Sequence, residues 1–86
     1  MKKEVKEDFE KREKYLMDKE YELIEMISIL RNEKKLSQRA LCELIDIQQP
    51  SLVRIEKGRI SPGIDTVLKI LYPLGYTIKF EKIDDK

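Results

Sequence analysis

Side chains able to do chemistry are unevenly supplied along this sequence. Its 86 residues contain no histidine and a single cysteine, Cys42. Without imidazole, and with one thiol, neither a zinc site nor a nucleophile with its base and orienter can be assembled. No enzyme activity, metal or cofactor is therefore expected. What remains is binding through charge and hydrogen bonds. Lys and Arg number 18 against 17 Asp and Glu, but their distribution is uneven. Residues 1–30 carry seven basic and nine acidic side chains, residues 31–62 seven and four, and residues 63–86 four of each. The resulting +3 of the middle segment is where a polyanion would be accommodated. Within it lies IDIQQPSLVRIEKG, residues 45–58, where Gln48, Gln49, Pro50 and Ser51 crowd the start of an apolar pattern that continues to Arg54.

The elements that position these residues follow from periodicity and punctuation. No glycine or proline precedes Pro50, so the first half is helix-rich. Leu23, Ile24, Ile27 and Leu30 have core-helix spacing and predict a helix over 20–34. Ser37 is placed to cap a short helix from Gln38 to Ile45, with Leu41, Leu44 and Ile45 inward. Asp46-Ile47 forms a tight turn. A second short helix over 49–57 turns Leu52, Ile55 and Val53 inward and stops at Gly58. Pro50 falls in its first turn, where a missing N–H costs little; Gln48 is then the cap. After the connector RISPG, residues 64–74 form a fourth amphipathic helix, strained near Pro73 and ended by Gly75. Cys42 reads as core packing.

Both ends of the chain differ from this middle. Residues 1–18 are a charge-dense helical arm with acid-before-base pairs at Glu7–Lys11, Asp8–Arg12 and Glu10–Lys14. Val5, Phe9 and Leu16 add a thin apolar stripe that Leu23, Ile27 and Leu30 continue. The arm is too polar to fold alone and is expected to dock on a partner. Residues 76–86 form a terminal strand and tail: Tyr76, Ile78 and Phe80 alternate with Thr77, Lys79 and Glu81 over a strand at 76–83. A lone strand needs a partner for its backbone, and the same segment of a second copy is the economical source. A homodimer is expected. A short chain with modest core area points the same way. A lone cysteine suits a reducing compartment, no apolar run reaches membrane-spanning length, and the charged start is not a secretory signal. A cytoplasmic protein without membrane contact is expected.

Two short helices joined by a tight turn make a helix-turn-helix. Leu36 to Pro62, LSQRALCELIDIQQPSLVRIEKGRISP, resembles the Cro/C1-type (XRE family) helix-turn-helix. Leu36, Ser37 and Gln38 open the pattern, Cys42 takes its small-residue position, and Arg54-Ile55-Glu56 with Gly58 close it. With the flanking helices the resemblance covers about residues 20–75. It implies a mainly α, lambda-repressor-like bundle of four core helices over 19–75, to which this chain adds the arm and the dimerising strand. Three positions depart from the pattern: Asp46 stands for the usual turn glycine, Gln48 for the usual Ser/Thr cap, and Pro50 for a small polar residue. A strand stands where the family has a fifth helix.

The resemblance also implies roles. The second helix of the motif would lie in the major groove of double-stranded DNA, with Gln49, Pro50, Ser51 and Arg54 at base edges. Gln38, Gln48, Lys35, Arg39, Lys57 and Arg59 would contact phosphates. Glu56 is expected to form an intramolecular salt bridge, with Arg54 as one possible partner. Two copies would double the motif's charge and read half-sites about 34–36 Å apart in a palindromic operator. The architecture is similar to HigA- and HipB-type antitoxins, which implies an autorepressor that also neutralises a cognate toxin through Val5, Phe9 and Leu16. A free-standing repressor and a protein-interaction adaptor on the same fold are the rivals.

Overall fold

A computed structural model describes the backbone of residues 2–84 and the side chains of residues 8–84. Among the described residues four helices form: α1 Lys2–Glu33, α2 Gln38–Ile45, α3 Gln49–Glu56 and α4 Ile64–Leu74. The charged arm and the first core helix are one unbroken element of 32 residues. At 1.5 Å per residue it spans about 48 Å, which accounts for most of the 52 Å long axis. Only its C-terminal third joins the body, where it packs on α3 and α4 while α2 packs on the same two helices.

The core is made of Ile27 and Leu30 of α1, Leu41 and Cys42 of α2, Leu52 and Ile55 of α3, and Val67, Ile70, Leu71 and Leu74 of α4. Ile24 is also buried, and Leu36, Ile45 and Ile47 pack against the rim. Two expected core residues differ. Leu44 is 63 % exposed. Helical rotation of 100° per residue puts Leu41, Cys42 and Ile45 on one side of α2, so the buried Cys42 turns Leu44 outward. Leu23 lies on the right stripe of α1 but at the margin of the body, and is exposed. Val53 is half-buried.

Each helix stops at a left-handed residue. Lys35 (φ 58°), Asp46 (φ 57°), Gly58 (φ 72°) and Gly75 (φ 87°) follow α1 to α4 in order. After α3, the Gly58 N–H donates to the Ile55 carbonyl and the Arg59 N–H to the Arg54 carbonyl, satisfying two orphan acceptors. The same arrangement closes α1 through Lys35 to Asn32 and Leu36 to Arg31. At the other ends, Ser37 caps α2 by accepting the Ala40 N–H at 3.0 Å. Pro73 is accommodated inside the last turn of α4.

The arm's ion pairs form in a different register from the one expected. Lys14 bonds Asp18 at 3.1 Å instead of Glu10, and Arg12 stacks over Phe9 and approaches Glu13 instead of Asp8. These exposed side chains choose among several carboxylates at little cost. The side chains of Val5 and Glu7 lie outside those described.

Among the described residues no strand forms, and residues 76–83 carry no regular structure. A strand exists only through its ladder, and no other described residue offers this segment a second edge. The Tyr76 N–H bonds the Leu71 carbonyl as part of the α4 cap. Glu22 raises the Lys19 pKa above its ordinary value by a hydrogen bond.

Candidate nucleic-acid interface

The turn between α2 and α3 is built to present the start of α3. Asp46 takes the left-handed conformation that its short polar side chain tolerates, and the Ile47 N–H returns to the Cys42 carbonyl. Gln48 then sits at the N-cap with extended backbone (φ −68°, ψ 136°), and its carbonyl accepts from the N–H groups of Ser51 and Leu52. Its side chain makes no capping bond. Gln49 is the first helical residue and Pro50 the second, so the proline lies where no intrahelical N–H is needed.

Leu52 and Ile55 anchor one side of α3 in the core. The opposite side carries Pro50 and Arg54, one turn apart, both exposed, with exposed Gln49 and half-buried Ser51 flanking them. Of the four residues assigned to base contact, Gln49, Pro50 and Arg54 are exposed on this helix, whereas Ser51, four residues before the buried Ile55, is half-buried at the margin. Gln48, Lys57 and Arg59 are exposed at its two ends, and Lys35 and Arg39 are exposed on the neighbouring α1–α2 connection and α2. Arg39 is engaged with Glu43 at 3.4 Å across an open helix face. An incoming anion could displace so exposed a pair at small cost.

Behind this surface lies a charged lock. Arg31 of α1 grips Glu56 of α3 with two bonds, Nε to Oε2 at 2.8 Å and Nη2 to Oε1 at 2.9 Å. Their side chains are 11 % and 7 % exposed. Glu56 Oε1 also accepts from Ser28 Oγ at 2.8 Å and from Gln38 Nε2 at 3.3 Å. The remaining Arg31 donors reach the Leu36 carbonyl at 2.8 Å and Asn32 at 3.4 Å. Burial pushes the Glu56 carboxyl up, but the Arg31, Ser28 and Gln38 donors outweigh it and hold the pKa below the ordinary 4.5. Arg31 is raised by its bond to Glu56. Burial raises the Cys42 thiol, which disfavours thiolate there.

The expected intramolecular bridge at Glu56 is therefore formed, with Arg31 and not Arg54 as partner. Among the described residues Arg54 makes no ion pair. Gln38 is half-buried with its amide nitrogen on Glu56, so its side chain is oriented before any ligand arrives. Arg31 and Ser28 were not singled out from the sequence. A signal for Arg31 was present: it follows Ile24 by seven residues and Ile27 by four, and a charge on a buried stripe demands a partner.

The pattern that defines the helix-turn-helix family matches residues 27–80, well over half of the chain. A protein of Haemophilus influenzae described as an uncharacterized HTH-type transcriptional regulator is 41 % identical over 56 residues. That match takes in 65 % of this chain and 57 % of the relative, so the chain spans little more than half of the relative's length. No solved structure matches the chain. Among the described residues no helix is long and apolar enough to cross a membrane.

Proposed function

Because the chain belongs to the helix-turn-helix family, we propose that it is a sequence-specific DNA-binding transcriptional regulator whose α3 enters the major groove. One observation carries the reading. Pro50 and Arg54, with Gln49 beside them and Ser51 at the margin, form the outward surface of a helix that Glu56 ties to α1. A glutamine at the first helical position can pair bidentately with adenine N6 and N7, while Pro50 can offer only apolar contact, for instance to a thymine methyl. Lys35, Arg39, Lys57 and Arg59, with Gln38 and Gln48, surround this tip as phosphate contacts, which set register without carrying sequence information.

The test is selection of bound duplexes from a random library by the purified chain, followed by anisotropy titration with Gln49→Ala. Enrichment of one motif, and its loss of preference at one position in the variant, is the expected result. If no motif is enriched, sequence-specific reading is wrong.

In its narrower form the proposal is a homodimer on a palindromic operator that acts as antitoxin and autorepressor. Phe9 and Leu16 are half-exposed on the part of α1 that projects from the body, which supports the arm as the toxin-docking element. Co-expression with the product of the adjacent reading frame checks this. A stoichiometric complex that is lost when residues 1–18 are removed supports the antitoxin role. Its absence leaves a free-standing repressor.

A further inference from the structure

Helix α4 is apolar on two sides. Val67, Ile70, Leu71 and Leu74 fill the core, whereas Ile64, Leu68 and Tyr72 recur every fourth residue on the other side, at 70 %, 43 % and 85 % exposure. Leu44, the leucine that α2 turns outward, lines the same groove as Leu68 and Tyr72. An isolated exposed leucine needs no explanation, but four large apolar side chains in one contiguous surface on a small domain do. A helix apolar on both faces is ordinarily covered on both. Among the described residues, none of the tail lines the groove that Leu68 and Tyr72 form with Leu44.

We propose that this α4 face, with Leu44, seats the same face of a second copy of this chain. The proposal rests on the homodimer reading above and assigns it a surface distinct from the tail. Two features select a second copy over a partner of other chemistry. The stripe is centred on Leu68, with Ile64 one turn before and Tyr72 one turn after, a run of about 12 Å. A twofold axis through Leu68 therefore superposes apolar on apolar along its whole length. The groove is also lined by one acid and one base, Asp46 and Lys69. A surface bearing both signs beside an apolar line complements itself when inverted, with each acid offered to the other copy's base.

Sedimentation of the full chain tests this, with circular dichroism to check that helix content is retained. The chain is expected to sediment as a dimer. Leu68→Glu and Tyr72→Glu, at exposed positions, should each weaken the dimer at least about tenfold, because each buries an unpaired charge. Asp46→Lys and Lys69→Asp should each weaken it, and the two together should restore it. A lysine is compatible with the left-handed backbone at 46, as Lys35 shows at φ 58°. A dimer unchanged by the glutamate variants but lost on removing residues 76–86 overturns the α4 surface and leaves the homodimer intact. A monomeric chain that still selects one DNA motif overturns both the surface and the homodimer while leaving DNA reading in place.

Discussion

Arg31 and Glu56, 25 residues apart in sequence, tie α1 to α3 through parallel hydrogen bonds of 2.8 and 2.9 Å. Little water reaches either side chain, so removing one partner strands the other as a buried charge. Arg31→Ala and Glu56→Ala are each expected to cost about 3–5 kcal/mol. Replacing both by Met should cost less than the two single changes summed, because neither charge is then left alone. Urea unfolding followed by circular dichroism measures this. Additive losses would mean that the pair is not coupled.

The same carboxylate sets an acid limb. The folded pKa of Glu56 is lowered from 4.5, so its contribution is present above that value and disappears as pH falls through the lowered folded value. Arg31 is raised and stays protonated throughout, adding no slope. Stability should therefore fall between about pH 4.5 and more acid conditions. Glu56→Gln should be less stable at neutral pH and show a shallower acid limb. An identical pH dependence in the two proteins would remove Glu56 as its source.

Helix C-termini offer a third measurement. Lys35 and Asp46 occupy left-handed backbone that costs a side-chain-bearing residue about 1–2 kcal/mol, while Gly58 occupies it freely. Lys35→Gly and Asp46→Gly should each stabilise by up to about 1 kcal/mol, after the added flexibility of the unfolded chain is subtracted. Gly58→Ala should destabilise by about 1 kcal/mol through the backbone alone. A Cβ there would sit 3.9 Å from Tyr21 Cε1, ordinary contact distance. Thermal midpoints rank the three, and a Gly58→Ala protein as stable as the parent would refute the account.

Much of this was legible in the sequence, for reasons that differ by element. The cap at Ser37 and the stops at Asp46, Gly58 and Gly75 were readable because they depend on a residue's own preferences, and the cap position of Gln48 because Pro50 must fall in the first turn. Leu44 was misjudged because an eight-residue helix offers too few turns to fix its rotation, and Cys42 decided it. The partner of Glu56 was missed because a pairing across 25 residues leaves no periodic trace. The arm pairs shifted because exposed side chains with several partners have no strong preference. The tail's alternation marks a capacity for pairing, and a capacity becomes a strand only against another edge.

The division of labour across α3 leads to the last prediction. Gln49 is exposed at the helix start, whereas Lys57 is exposed just past its end, so the two are assigned different parts of a duplex. A base contact discriminates between sequences but releases no counterion, while a phosphate contact does the reverse. Lys57→Ala should weaken binding to all duplexes alike and reduce the slope of log affinity against log salt by about 0.9. Gln49→Ala should leave that slope unchanged and erase about 1–3 kcal/mol of preference at one base pair. Anisotropy titrations at several salt concentrations, on the selected duplex and its single-position variants, separate these effects. If Gln49→Ala lowered the salt slope, or Lys57→Ala altered sequence preference, the two residues would have to exchange roles, and α3 would lie in the groove in another orientation.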